Sequence, residues 1–186
     1  MNYAAIKKND IANGVGVRVS LFVSGCRHHC KNCFNKEAWD FNYGALFTDD
    51  VINELIEAAD HDYVNGLSLL GGEPFESENR EGLIRLVEKF RSVYPHKDIW
   101  CYTGFTFEEL LSDDIKNPET AKNLLGMIDV LVDGKFVEKL KSPALLFRGS
   151  SNQRIIDVKK SLECKKVVLL EGKWERAMGS GNIYDV

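Results

Sequence analysis

Three of the chain's five cysteines, Cys26, Cys30 and Cys33, sit in one short stretch, CRHHCKNCFN. At the spacing C-x3-C-x2-C, loop backbone can curl until the sulfurs converge on one side, and thiolates so placed hold iron or zinc. Structural zinc sites and most iron–sulfur clusters take four protein ligands, and this nest supplies three. Either His28, His29, Cys101 or Cys164 completes a structural zinc site, or one coordination position stays open for chemistry. His28 and His29 are read as solvated or partner-facing, because basic groups beside anionic thiolates make electrostatic sense without coordinating anything. Trp39 and Phe41 are read as packing around the cysteine loop.

A second stretch, GGEPF, begins at Gly71. Gly71 and Gly72 allow φ > 0 and a close approach of backbone to a ligand. Glu73 and its backbone are then placed to accept hydrogen bonds from an ammonium group, with Pro74 stiffening the loop. The competing reading is a tight strand-to-helix turn with Glu73 merely solvated. Further candidates are fewer and weaker. Thr103 and Asp133 fall at strand ends, where turn formation and capping compete with a site role. Arg148, in FRGSSNQR, suits either a carboxylate ligand or a structural ion pair. Cys101 lies inside an apolar run and reads as a core cysteine, and Cys164, in SLECKK, has no evident role.

What must position these residues is a set of short apolar runs: VRVSLFV, LSLL, DIWCY, IDVLV and, late in the chain, KVVLL. Each reads as a buried strand. Between them lie amphipathic segments. TDDVINELIEAAD opens on Thr48 as an N-cap with acids in its first turn. SENREGLIRLVEKFRSVY sets Leu83, Leu86, Val87 and Phe90 on one face and stops before Pro95, and TFEELLSDDI is a shorter helix. The alternation predicts an α/β protein with a mainly parallel sheet of about five or six strands, shaped as an open or partial barrel. In such folds ligands bind at the C-terminal strand ends, and SGC, GGEPF, TGF, DGKF and RGSSNQ each follow an apolar run. The motifs are therefore expected to converge on one edge.

The 186 residues, 44% hydrophobic and 28% charged, suit one globular unit. A net charge of −4 gives no electrostatic reason to propose nucleic acid or a membrane surface as partner. No apolar run reaches the roughly 20 residues of a membrane span, and MNYAAIKKND lacks the apolar core of a secretory signal. The expectation is a cytoplasmic protein, and in a reducing compartment a tight cysteine cluster reads as metal-binding or redox-active.

C-x3-C-x2-C after the first apolar run, followed by GGEPF after the second, resembles the radical S-adenosylmethionine (SAM) superfamily. NGVGVRVSLFVSGCRHHCKNCFNKEAWDF, KDIWCYTGF, DVLVDGKF and FRGSSNQR are together similar to the activating proteins of anaerobic ribonucleoside-triphosphate reductases. The resemblance covers residues 1–155, leaving 156–186 as an extension of unknown function packed on the same domain. It implies a partial (β/α) barrel of the radical SAM type and a [4Fe–4S] cluster on Cys26, Cys30 and Cys33, with the fourth iron open to SAM. It further implies SAM contacts from Asn32, Cys33, Phe34, Gly71, Gly72 and Glu73. The chain departs from the superfamily pattern at Asn32, where many members carry an aromatic residue; here the aromatic, Phe34, follows the third cysteine. The implied activity is reductive cleavage of SAM, with an electron from flavodoxin or a similar reductant, and installation of a glycyl radical on the partner reductase. A metal module or electron carrier without catalysis is the competing class; such a protein has no use for GGEPF.

Overall fold

The run VRVSLFV forms the central strand β2 (Val17–Val23), and its odd-numbered residues Val19, Leu21 and Val23 are fully buried. The other parallel strands are β4 (Val64–Gly71), β5 (Asp98–Tyr102) and β6 (Val130–Asp133), while β1 (Asn2–Asp10), β3 (Ala45–Leu46) and β7 (Arg154–Asp157) complete the sheet. The computed structural model describes residues 1–171, so the tail from residue 172 onward, including GKWERAMGSGNIYDV, lies outside the described residues. The strand order is β3-β1-β2-β4-β5-β6-β7.

The sheet is mixed, which corrects the expectation of a mainly parallel one. The pairings β2–β4, β4–β5 and β5–β6 are parallel, while β1–β2, β1–β3 and β6–β7 are antiparallel. Among the described residues it is also open and has seven strands, with β3 and β7 as its edges. The physical reason lies in the connections. Residues 11–16, IANGVG, are short enough only for a hairpin, with positive φ at Gly14 and Gly16, so β1 lies antiparallel beside β2. β1 escaped the sequence reading because NYAAIKKND is only partly buried and its short apolar stretch gives way to the polar residues KKND. KVVLL is not a strand; Leu169 contributes an isolated bridge to Ile156, and β7 takes the edge position instead.

The described residues form five α-helices: α1 (Asp49–Ala58), α2 (Ser77–Val93), α3 (Phe107–Leu111), α4 (Pro118–Gly126) and α5 (Val158–Cys164). Thr48 caps α1 by accepting from the Val51 amide, as its position predicts. Leu83, Leu86, Val87 and Phe90 of α2 are fully buried, and α2 ends ahead of Pro95. A capping box between Thr106 and Glu109 starts α3. The unpredicted α4 opens on Pro118, a favoured first position, and buries Ala121, Leu124 and Leu125.

All five helices contribute to one apolar core, which also takes Val19, Leu21, Val23, Leu67, Leu69, Ile99, Cys101, Leu131 and Ile156 from the strands. Because strand side chains alternate, the opposite face carries Arg18, Ser20, Ser68, Trp100 and Tyr102. Arg18 is fully buried there and is held by Ser68 Oγ at 2.7 Å, the Leu67 carbonyl at 2.9 Å and Asp98 at 2.5 Å, with its guanidinium over the Trp100 ring. One face of the sheet is thus packed by the helices, and the other carries polar groups, a smaller apolar cluster of Trp100, Val130, Val132 and Ile155, and a cavity.

Candidate active site

The C-terminal ends of β2, β4, β5 and β6 lie at one edge because these strands are parallel. A cavity of about 420 Å³ opens there. Its walls include Cys26, Cys30 and Cys33, with Asn32, Phe34, Gly71, Gly72 and Glu73. Every SAM-contact and ligand candidate drawn from the sequence therefore meets one cavity, together with Thr103 and Arg148.

The cysteine loop leaves β2 through Gly25. The Gly25 amide donates to the Ala38 carbonyl at 2.8 Å, and the Cys26 amide to the Trp39 carbonyl at 3.1 Å. Gly25 must lack a side chain, since its φ is +94° and a Cβ there would strike the Phe41 ring. Cys26 is buried, and Cys30 and Cys33 are half-buried. Burial, reinforced by the Glu73 charge, pushes the Cys26 thiol up to about 12; burial also raises Cys30. A thiol held protonated so firmly becomes a thiolate when a metal cation displaces its proton. The donor set of three thiols therefore suits a soft-ligand iron or zinc centre. Among the described residues, no group of three His, Cys, Asp or Glu side chains stands ready-made at metal-holding distance. Cys101 is fully buried in the core and Cys164 is exposed on α5, so neither joins the loop cysteines.

GGEPF is bound to this loop more tightly than its sequence suggests. The Gly72 amide donates to Val23 at 2.7 Å and the Glu73 amide to Gly25 at 2.8 Å. Positive φ is confined to Gly71; Gly72 is needed because a Cβ there would lie 2.6 Å from the Gly25 carbonyl oxygen and 2.8 Å from that of Ala38. Its close approach is to the cysteine loop. Glu73 is not solvated but 1% exposed, and both carboxylate oxygens are occupied. Oε1 accepts from the Phe75 amide at 2.8 Å and the Thr103 hydroxyl at 2.7 Å. Oε2 accepts from the Gly104 amide at 2.7 Å and meets His28 Nε2 at 2.9 Å. The His28 side chain is accordingly only 8% exposed, which corrects its reading as solvated or partner-facing: a carboxylate inside the fold draws it in. His29 does remain exposed, stacked on Trp39 at 4.5 Å.

Two residues that the sequence reading passed over support the loop. Asn79, fully buried on α2, donates to the carbonyls of Ser24 at 3.0 Å and Glu73 at 2.9 Å. Glu76 accepts from the Arg27 amide at 2.8 Å and pairs with its guanidinium at 2.5 Å. Both lie in ESENR, whose polar residues read as an ordinary helix start.

The opposite wall is built by DGKF and RGSSNQ together. Gln153 accepts from the Gly149 amide at 2.8 Å and donates to the Gly134 carbonyl at 3.0 Å, while Asn152 donates to that of Lys135 at 2.8 Å. Arg148 donates to the Gln153 carbonyl at 2.9 Å. Asp133 caps α3 through the Phe107 amide at 2.7 Å and pairs with Arg154 at 2.5 Å. Thr103 is committed to Glu73, so both strand-end residues have structural partners. Asn32, at a φ of +56°, donates to Glu138, and Phe34 projects at 85% exposure.

Comparison with known proteins agrees with this geometry. The family described as "4Fe-4S single cluster domain" matches residues 12–156. The chain is 43% identical over 157 residues to the anaerobic ribonucleoside-triphosphate reductase-activating protein of Escherichia coli K12, covering 82% of this chain and 96% of that protein. The protein of the same name from Enterobacteria phage T4 is 42% identical over 155 residues, 83% of this chain and 93% of the phage protein. That from Haemophilus influenzae is 40% identical over 157 residues, 83% of this chain and 97% of its own length. With a 4Fe-4S domain spanning the cysteine loop and both flanking walls, the chain belongs to the family of anaerobic ribonucleoside-triphosphate reductase-activating proteins.

Proposed function

We propose that this protein is a radical SAM activase that installs a glycyl radical on an anaerobic ribonucleoside-triphosphate reductase. One observation carries the reading: C-x3-C-x2-C and GGEPF line the same cavity at the C-terminal edge of the parallel strands. Cys26, Cys30 and Cys33 would hold a [4Fe–4S] cluster, the loop drawing together around it, with the fourth iron left to SAM. When bound, the cluster and SAM supply a one-electron cleavage of the sulfonium and a 5′-deoxyadenosyl radical that takes hydrogen from a glycine Cα. The protein's own residues bind, orient and shield. Asn32, Cys33 and Phe34 face the adenine, and Gly71 and Gly72 offer backbone to the methionyl end. Glu73 shapes that end rather than binding it, because its acceptor sites are already filled. In this reading the open sheet is a partial barrel whose uncovered side is closed by the reductase.

The rim suits a protein partner. Residues 134–149 carry Lys135, Lys139, Lys141 and Arg148 against one acid, Glu138, in a chain whose net charge is −4. Phe34, Leu140 and Leu146 are exposed beside them. Reductase binding should therefore weaken with added salt. A flavodoxin-like protein in the cytoplasm is the proposed electron source; no described helix is long and apolar enough to cross a membrane.

The test is anaerobic incubation with SAM, a reductant and the cognate reductase. Expected are 5′-deoxyadenosine and a glycyl-type doublet in the electron paramagnetic resonance spectrum, both lost in Cys30→Ala. Anaerobically purified protein with one zinc and no iron would sink the reading. SAM cleavage without a doublet in a competent reductase would remove only the assigned partner.

A further inference from the structure

We infer that His28 is a positioning residue: its ring latches the first half of the cysteine loop onto Glu73 and the β5 strand end, setting the loop's shape for the metal. The inference rests on the reading that Cys26, Cys30 and Cys33 hold the cluster.

Three observations carry it. First, His28 lies between two of the cysteines yet points inward, its side chain 8% exposed and Nε2 2.9 Å from Glu73 Oε2. Second, its seat is shaped for a ring. A Cβ at Gly104 would lie 2.4 Å from His28 Cδ2, and Phe105 closes the other side edge-on at 4.6 Å. Third, the Glu73 carboxylate also accepts from Phe75, Thr103 and Gly104, so the latch joins the ends of β2, β4 and β5 at one buried anion. A charge buried this deeply is tolerated because each acceptor site is filled, and losing one partner leaves an unsatisfied anion under the loop. The loop and the GGEPF turn therefore hold each other in place. Residues that orient metal ligands from behind commonly change metal affinity on the order of 10–100-fold when replaced.

Three variants separate the parts of the latch. His28→Phe keeps a ring in the seat and removes the hydrogen bond. His28→Gln keeps an amide donor at similar reach and removes the ring. Gly104→Ala leaves His28 intact and fills its seat. Reconstituted proteins are challenged with an iron chelator, and the reduced cluster is examined by electron paramagnetic resonance with and without SAM. His28→Phe and Gly104→Ala are expected to release iron on the order of 10-fold faster and to broaden the SAM-dependent spectral change. His28→Gln should recover most of the loss. Hydrogen exchange of residues 27–30 in iron-free protein provides an arm independent of the cluster, and should quicken by at least about 10-fold in His28→Phe and Gly104→Ala. Unchanged exchange together with unchanged iron release would overturn the latch. Faster exchange in protein that never takes up iron would keep the latch as a loop clamp and defeat the cluster reading instead.

Discussion

The two halves of the cysteine loop, residues 25–28 and 29–35, are alike in composition and unlike in attachment. In the first half each residue bonds outward: Gly25 to Ala38, Cys26 to Trp39, Arg27 to Glu76 and His28 to Glu73. In the second half the bonds are mostly short-range, from the Cys33 amide to Cys30 and from the Asn35 amide to Cys33 Sγ; those that reach farther join Lys31 and Asn32 to Glu138 and the Cys30 thiol to the Phe136 backbone. The first half is a continuation of the core, and the second is a lip over the cavity. If the loop holds a metal, its anchored half is placed to set ligand geometry, since groups behind a metal site orient the ligands that bind it.

The largest effect should come from the thiols, and it should ignore the difference between the halves. Alanine at Cys26, Cys30 or Cys33 is expected to remove essentially all bound iron, whereas Cys101→Ala and Cys164→Ala retain it. Iron and sulfide content of anaerobically reconstituted protein decides this. Iron loss in Cys101→Ala as complete as in Cys30→Ala would break the three-ligand account.

Gly72→Val should come next and act through the anchored half. Its side chain would collide with the Gly25 and Ala38 carbonyls, so the urea midpoint should fall by an amount equivalent to about 1–3 kcal/mol. SAM affinity and iron content should drop together, because the displaced backbone belongs to the cysteine loop. A variant with normal stability and iron but no SAM binding would return Gly72 to a purely ligand-facing role.

Arg27→Ala should be smallest. The side chain is 56% exposed, and surface pairs of this kind contribute no more than about 1 kcal/mol. The pH dependence gives it a signature. Hydrogen bonding to Arg27 holds the Glu78 carboxyl at about 2, below its ordinary 4.5. A depressed carboxylate stabilises the fold above its ordinary value and loses that contribution as pH falls toward its folded value. The variant's deficit should thus be full at neutral pH and shrink from about pH 4.5 toward pH 2, as read from thermal midpoints across that range. A deficit independent of pH would assign Arg27's role to its packing over Phe41 instead.

Much of this was legible beforehand because the signals were local. Apolar runs gave β2, β4, β5 and β6, and the period of Leu83, Leu86, Val87 and Phe90 gave the buried face of α2. β1 and β7 were not legible, since β1 is only partly buried and ends in polar residues, while β7 offers just two buried residues, Ile155 and Ile156, too short an apolar run to read as a strand. The burial of Glu73 and of the His28 side chain was not legible for a related reason. Each is polar in a loop-like stretch, and nothing in the order of residues says that the two loops face one another.

The sequence by itself determined the donor chemistry, the glycines that let backbones meet, and the strand ends from which the loops spring. These follow from residue type and short spacing. Only the tertiary structure decided that the sheet is mixed and open, that Gln153 and Asn152 stitch RGSSNQ onto DGKF, and that Glu73 serves as a buried anchor. Those outcomes depend on which groups bury one another's charges and hydrogen bonds across long sequence separations, and that is settled when the chain packs.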